Sequence, residues 1–146
     1  MNVTTERRML QAALAIACLV PLLAGGAGMV VGVEMLGGVT SPPRDLASHY
    51  RYLSGLLFGI GLGFLSCVPR IEARGPRMRL LGLIVLVGGL ARAWSVVDDG
   101  TPSLGHRLAL VMELGVVPAL VLWQWRLATR WVLRDAPSAS LSRSSG

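Results

Sequence analysis

The chain has 146 residues, 53% of them hydrophobic and only 15% charged. Soluble domains run about 45–50% apolar and about 25% charged, so this composition excludes an ordinary soluble domain and points to a polytopic membrane protein. The formal net charge is +6 and every basic residue is Arg, but the arginines flank apolar stretches, so membrane orientation accounts for them and nucleic-acid binding is set aside.

The first apolar stretch runs from about residue 9 to 33, after Glu6-Arg7-Arg8. It is longer than the apolar part of a signal peptide, and Gly-rich sequence continues beyond any small-residue cleavage site, so it reads as a membrane span. Pro21 predicts a kink that neighbouring helices satisfy. Residues 34–48, with Gly37-Gly38 and Ser41-Pro42-Pro43, read as a loop.

The second span is predicted over about 49–68. It opens with His49-Tyr50-Arg51-Tyr52 and carries Gly55, Gly59 and Gly63 at four-residue spacing, a small-residue stripe for close helix approach, before Pro69 ends it. The next loop holds Arg70, Arg74, Arg77 and Arg79 against Glu72 alone. A third span is predicted over about 80–97 and a short turn at Asp98-Asp99-Gly100-Thr101-Pro102. The fourth span, about 104–125, leads into an extension in which Arg126, Arg130 and Arg134 share one helical face and Leu127 and Trp131 another, an amphipathic segment expected at the lipid surface. Trp123, Trp125 and Trp131 read as an aromatic belt. The Ser-rich tail, 135–146, is expected to be disordered.

Ten of the fourteen arginines lie at the N-terminus, in the 70–79 loop and in the C-terminal flank. That alternation predicts four spans with both termini cytoplasmic. The expected fold is all-α: a transmembrane four-helix bundle of two antiparallel hairpins, residues 1–134 forming one domain. The absence of Lys fits a GC-rich bacterial genome and hence a cell inner membrane. Cys18 and Cys67 both fall on the reducing side of this topology, so free thiols are expected.

Ionisable residues at membrane depth are costly and need a reason. Arg92 falls roughly 9 Å inside the third span and Glu113 roughly 12 Å inside the fourth at 1.5 Å per residue, with the Pro102 turn midway, so the two are expected to pair. Gly88 and Gly89 leave room beside Arg92. His106, Glu113 and Gln124 fall close to one helical line, which predicts a bundle-facing stripe. The first hairpin mirrors this with Glu34 and Arg51 about the Pro42-Pro43 loop. His49 lies on the other side of its helix from Arg51, and Arg51 is the one expected to face inward, on the face of Gly55 and Phe58. The candidate polar cluster is therefore Arg92, Glu113, Arg51, Glu34, His49 and His106. Its purely structural reading, a locking ion pair at Arg92–Glu113 and a snorkelling Arg51, stands beside the functional one.

The sequence carries no metal-spaced Cys/His set, phosphate loop, nucleophile elbow or haem motif, so no metal, cofactor or catalytic residue is assigned. The residues His49-Tyr50-Arg51-Tyr52-Leu53-Ser54-Gly55, then Gly89-Leu90-Ala91-Arg92, then Met112-Glu113-Leu114 with Pro118 resemble an uncharacterised family of small four-span bacterial membrane proteins classed only as a domain of unknown function, over roughly residues 8 to 127. The architecture is more distantly similar to the DoxX-like group of four-helix membrane proteins, some linked to quinone or thiol redox chemistry. The resemblance implies four spans and supplies no activity.

Composition and cluster together suggest a non-enzymatic accessory or binding module with a polar pocket in the outer half of the bundle. Its expected partners are membrane lipid, a small molecule, a partner membrane protein or a second copy of the chain. A small permease and a quinone- or redox-associated membrane subunit are the alternatives. A permease needs polar groups on a path reaching both sides, and the inner half of this chain reads as apolar.

Overall fold

The computed structural model describes residues 2–37, 41–100 and 102–135. They form helices α1 (Val3–Val31), α2 (Arg44–Leu65), α3 (Gly75–Asp99), α4 (Leu104–Val111) and α5 (Val117–Asp135). Tight 3₁₀ turns follow α1 (Gly32–Leu36) and α2 (Val68–Ala73), and a wide turn, Met112–Val116, joins α4 to α5 without a break. Among the described residues there is no strand.

Three helical stretches are long and apolar enough to cross a membrane: Val3–Leu36, Gly75–Asp99 and Leu104–Leu133. α2 is not among them, because its first two turns are polar: Arg44, Asp45, Ser48, His49 and Arg51 all fall there.

Element boundaries differ from the sequence expectation where end chemistry extends a helix. α1 starts at Val3 because the Asn2 side chain accepts a hydrogen bond from the Thr4 amide at 3.3 Å. α2 begins at Arg44, inside the expected loop, with Pro43 as its extended N-cap and Asp45 in its first turn. It stops at Leu65, four residues before Pro69, which opens the following 3₁₀ turn instead. α3 starts at Gly75, so the arginine-rich connection is short and partly helical. Asp135 ends α5, and the rest of the tail expected to be disordered lies outside the described residues.

α1 and α2 form one antiparallel hairpin, held by glycines that bring the backbones together. A Cβ on Gly25 would stand 2.7 Å from the Phe58 amide nitrogen and 2.8 Å from the Ser54 carbonyl oxygen. Gly28 abuts the Ser54 hydroxyl, and Gly61 abuts Leu22 and Pro21. α3 forms the second hairpin with α4 and α5. Here Gly82 meets Val121, and Gly89 meets Leu114 and Glu113.

The Gly55, Gly59 and Gly63 stripe is not one interface. Gly55 meets Met29 of α1, Gly63 meets Leu81 of α3, and Gly59 meets nothing within 4 Å. Four residues turn a helix by about 400°, so the stripe drifts about 40° at each step and leaves one neighbour for another.

Both hairpins share a core of Leu10, Leu14, Cys18, Phe64, Cys67, Ile71, Met78, Leu120 and Leu127. All of these lie in the half of the molecule that carries the start of α1, the Val68–Ala73 turn and the end of α5. This is the arginine-rich end; the opposite end carries the Pro43 and Pro102 turns. Cys18 and Cys67 are free and buried in the core.

Gly25→Ala is expected to destabilise the fold by about 1–3 kcal/mol, since only backbone can yield to the new methyl group. Gly59→Ala, with open space around it, is expected to be neutral or stabilising by up to about 1 kcal/mol through helix propensity. Unfolding midpoints of the two variants in one detergent check both.

Candidate functional site

Arg92 and Glu113 meet. Arg92 Nε donates to Glu113 Oε2 at 2.9 Å and Arg92 Nη2 to Glu113 Oε1 at 3.1 Å, a two-pronged ion pair. The side chains are 33% and 17% exposed. Two local features build the pair. Gly89, one turn before Arg92, removes the Cβ that would stand 2.9 Å from Glu113 Cβ, so the chain carrying Glu113 lies directly against α3. Gly88, by contrast, meets nothing within 4 Å. Glu113 itself sits in the wide turn, where the Val117 amide bonds back to the Met112 carbonyl, five residues earlier. Pro118 explains the widening. It has no N–H for the Leu114 carbonyl and its ring crowds that group, so the helix opens by one residue just before it.

The other predicted cluster members do not join this pair. Among the described residues no ion pair links Glu34 to Arg51, and both side chains are exposed. The Arg51 guanidinium lies instead over Gly32, whose φ of +80° and lack of Cβ make the contact possible; a Cβ there would be 2.9 Å from Arg51 Nη2. The face of Gly55 and Phe58 on which Arg51 was expected to point inward packs on α1, against Met29, Gly25 and Gly26. His49 is exposed, its ring 6.3 Å from that of Tyr52. His106 is half-buried and shares a 2.9 Å hydrogen bond with the Ser103 hydroxyl in its own first turn. Asp99 is held by Ser95 at 2.8 Å rather than by Arg92. The wide turn at Met112–Val116 also breaks the helical line from His106 to Gln124, because 100° per residue no longer holds across it.

A second polar network, at the arginine-rich end, escaped sequence reasoning. The Glu6 carboxylate is 5% exposed. It accepts from Trp123 Nε1 at 3.2 Å and from Arg130 Nη1 at 3.0 Å. Arg7 donates to Glu72 at 2.7 Å and to the Pro69 carbonyl at 2.9 Å, and its guanidinium lies 5.6 Å from the Trp131 ring centre. Gln11 donates to the Val68 carbonyl at 2.7 Å, and the fully buried Gln124 donates to the Ile71 carbonyl at 2.9 Å. Among the described residues Gln124 Oε1 has no hydrogen-bond partner.

One face of the extension after the fourth span packs inward: Leu127 is in the core and Arg130 is bound to Glu6. Trp123 joins the Glu6 network, while Trp125 is exposed. One signal was available. Trp123, Leu127 and Arg130 are four and three residues apart, one face of a helix, and a face carrying both an indole N–H and a guanidinium asks for a shared acceptor.

Glu6→Ala is expected to cost about 2 kcal/mol, because two charge-assisted hydrogen bonds go and the Trp123 indole loses its acceptor. Gln124→Met is expected to stay within about 1 kcal/mol of the parent: it removes the unpartnered Oε1, and the Ile71 carbonyl keeps its 3.4 Å bond from the Arg74 amide. Denaturation of both variants in a common detergent checks the contrast.

No characterised protein and no solved structure matches the chain. A family model does match, over residues 9–124, a segment that includes Arg92, Glu113 and the rest of the predicted cluster and stops short of Glu6 and Arg130. The chain belongs to the family described as Domain of unknown function (DUF4345).

Proposed function

We propose that this chain is an integral inner-membrane protein that crosses the bilayer four times with both termini cytoplasmic, and that it works as a non-enzymatic accessory or binding module. Its binding group is the Arg92–Glu113 pair, in the outer half of the second hairpin. The candidate ligands are a small molecule, a lipid headgroup or a polar group on a partner helix.

One observation carries this reading. Two ions at membrane depth form a complete two-pronged pair yet stay a third and a sixth exposed. A pair that only locked helices together would gain most by being sealed from its surroundings, and even sealed pairs rarely add net stability over an apolar contact. Arg92 Nη1 makes no hydrogen bond among the described residues, and each Glu113 oxygen accepts only one. The pair therefore retains donors and acceptors for a third group. The wide turn that carries Glu113 is of a kind often found at functional sites.

The count of four spans rests on α2. It lies antiparallel to α1 along most of its length, from Gln11 bonded to Val68 at one end to Gly32 against Arg51 at the other. A helix in step with a spanning helix over that distance crosses with it, its polar first turns standing in the headgroup region.

Topology is tested with single cysteines at Ser41 and Arg74 and a membrane-impermeant maleimide. Labelling of Ser41→Cys from outside and Arg74→Cys only after permeabilisation is expected. Labelling of both from one side would show that α2 does not cross. The site is tested with the charge swap Arg92→Glu plus Glu113→Arg. The swap is expected to restore the unfolding midpoint lost in either single variant, while a small molecule or lipid that native mass spectrometry detects on the parent stays absent from the swapped protein. An identical bound mass on both, or none on either, would reduce the pair to a structural lock.

A further inference from the structure

We infer that the arginine-rich end is a binding surface for anionic phospholipids, with four arginines around the start of α3 and Arg126 of α5 holding the phosphate groups. The inference requires only that the protein sits in a bilayer; it does not depend on the role of Arg92 and Glu113.

The charge at this end is uncompensated from within. Glu72 is held by Arg7 and Glu6 by Arg130. Among the residues up to Leu133 whose side chains are described, no carboxylate lies within ion-pair distance of Arg8, Arg70, Arg74, Arg79 or Arg126, and Arg77 has the Ser66 hydroxyl at 3.0 Å. All but Arg74 are exposed, and Arg74 is half-exposed.

The arrangement is also unfavourable in itself. A helix N-terminus carries partial positive charge and is normally met by an acid or a capping side chain. α3 has no acid in its first turn and no capping side chain, and Arg74, Arg77 and Arg79 crowd its start. Neither an acid in the first turn nor a side-chain cap relieves this repulsion. An external anion does, by bonding to the guanidinium groups and by facing the helix end.

A lipid fits better than a free anion because apolar surface lies beside the charge. The helical stretch Leu104–Leu133 has 30 residues, roughly 45 Å at 1.5 Å per residue, against about 30 Å of hydrocarbon. Its last turns therefore stand at headgroup level. There Trp125 is 57% exposed and Leu133 71%, and an open groove is lined by Trp125, Arg126, Thr129 and Arg130. An apolar face next to Arg126 suits an acyl chain and its phosphate together.

The test compares the parent protein with a variant carrying Arg70→Gln, Arg74→Gln, Arg79→Gln and Arg126→Gln. Both are reconstituted in phosphatidylcholine nanodiscs with and without phosphatidylglycerol, and the lipid retained is read by native mass spectrometry. The parent is expected to retain phosphatidylglycerol over phosphatidylcholine by on the order of tenfold, and the variant to show no preference. The control Arg44→Gln plus Arg107→Gln, at the opposite end, is expected to keep the preference. Equal retention of the two lipids by the parent, an unchanged preference in the four-residue variant, or an equal loss in the control would each overturn the assignment. So would displacement of phosphatidylglycerol by inorganic phosphate at equal concentration, since the occupant would then be a free anion. Should the four-residue variant misfold, Arg79→Gln plus Arg126→Gln serves in its place, with at least a severalfold drop expected and no drop overturning the proposal.

Discussion

The fold depends on the carboxylate of Glu6. It sits in the first turn of α1, buried, and holds Trp123 and Arg130 of α5. Among the described residues, every hydrogen bond and ion pair between the two hairpins lies at this end: Glu6 with α5, Arg77 with Ser66, and Gln124 with the turn after α2. The shared core sits directly beneath, at Leu10, Ile71, Met78 and Leu127. In a bilayer, apolar packing gains little from the solvent, because lipid tails are as apolar as leucine, so directional bonds and close fit must choose which helices associate. A buried acid with two donors from the far end of the chain makes that choice.

The hairpins themselves use a different device. Glycine at positions 25, 28 and 61 in one, and 82 and 89 in the other, removes the atoms that would hold the backbones apart. Dispersion contacts then form along each helix pair, and in the second hairpin the Arg92–Glu113 pair adds a polar link. The two devices divide the work. Glycines define each hairpin along its length, and the polar network clasps the hairpins at one end. Toward the Pro43 and Pro102 turns the pairs are held by their own internal contacts, and it is there that Arg92 and Glu113 stay partly exposed.

Much of this was legible in the sequence, for identifiable reasons. Apolar runs pointed to an all-α, membrane-compatible chain because they are sums over many residues. The Arg92–Glu113 contact was legible because the Pro102 turn lies midway between them and a hairpin conserves depth. Glu34 and Arg51 satisfy the same counting rule and do not pair, because the chain after α1 tightens into a 3₁₀ turn whose glycine takes the Arg51 guanidinium. Counting residues fixes depth but not direction. Glu6 was hidden for another reason: beside Arg7 and Arg8 it reads as part of a charged flank, and its true partners are more than a hundred residues away.

The separation of the two polar sites bears on what the protein does. Between the Arg92–Glu113 pair and the Glu6–Gln124 network, the second hairpin presents Val85, Leu81, Val117, Leu120 and Val121, all packed on the core. A transported ion or polar solute would need a continuous polar path from one site to the other. Here the interior between them is close-packed and apolar, and its glycines are filled by neighbouring side chains rather than left open. Two polar ends joined by an apolar middle fit the proposed binding module better than a permease. They also separate the roles by chemistry. On the two proposals, the arginines at one end would take anions, whereas the pair that carries both charges at the other would take a ligand that donates and accepts together.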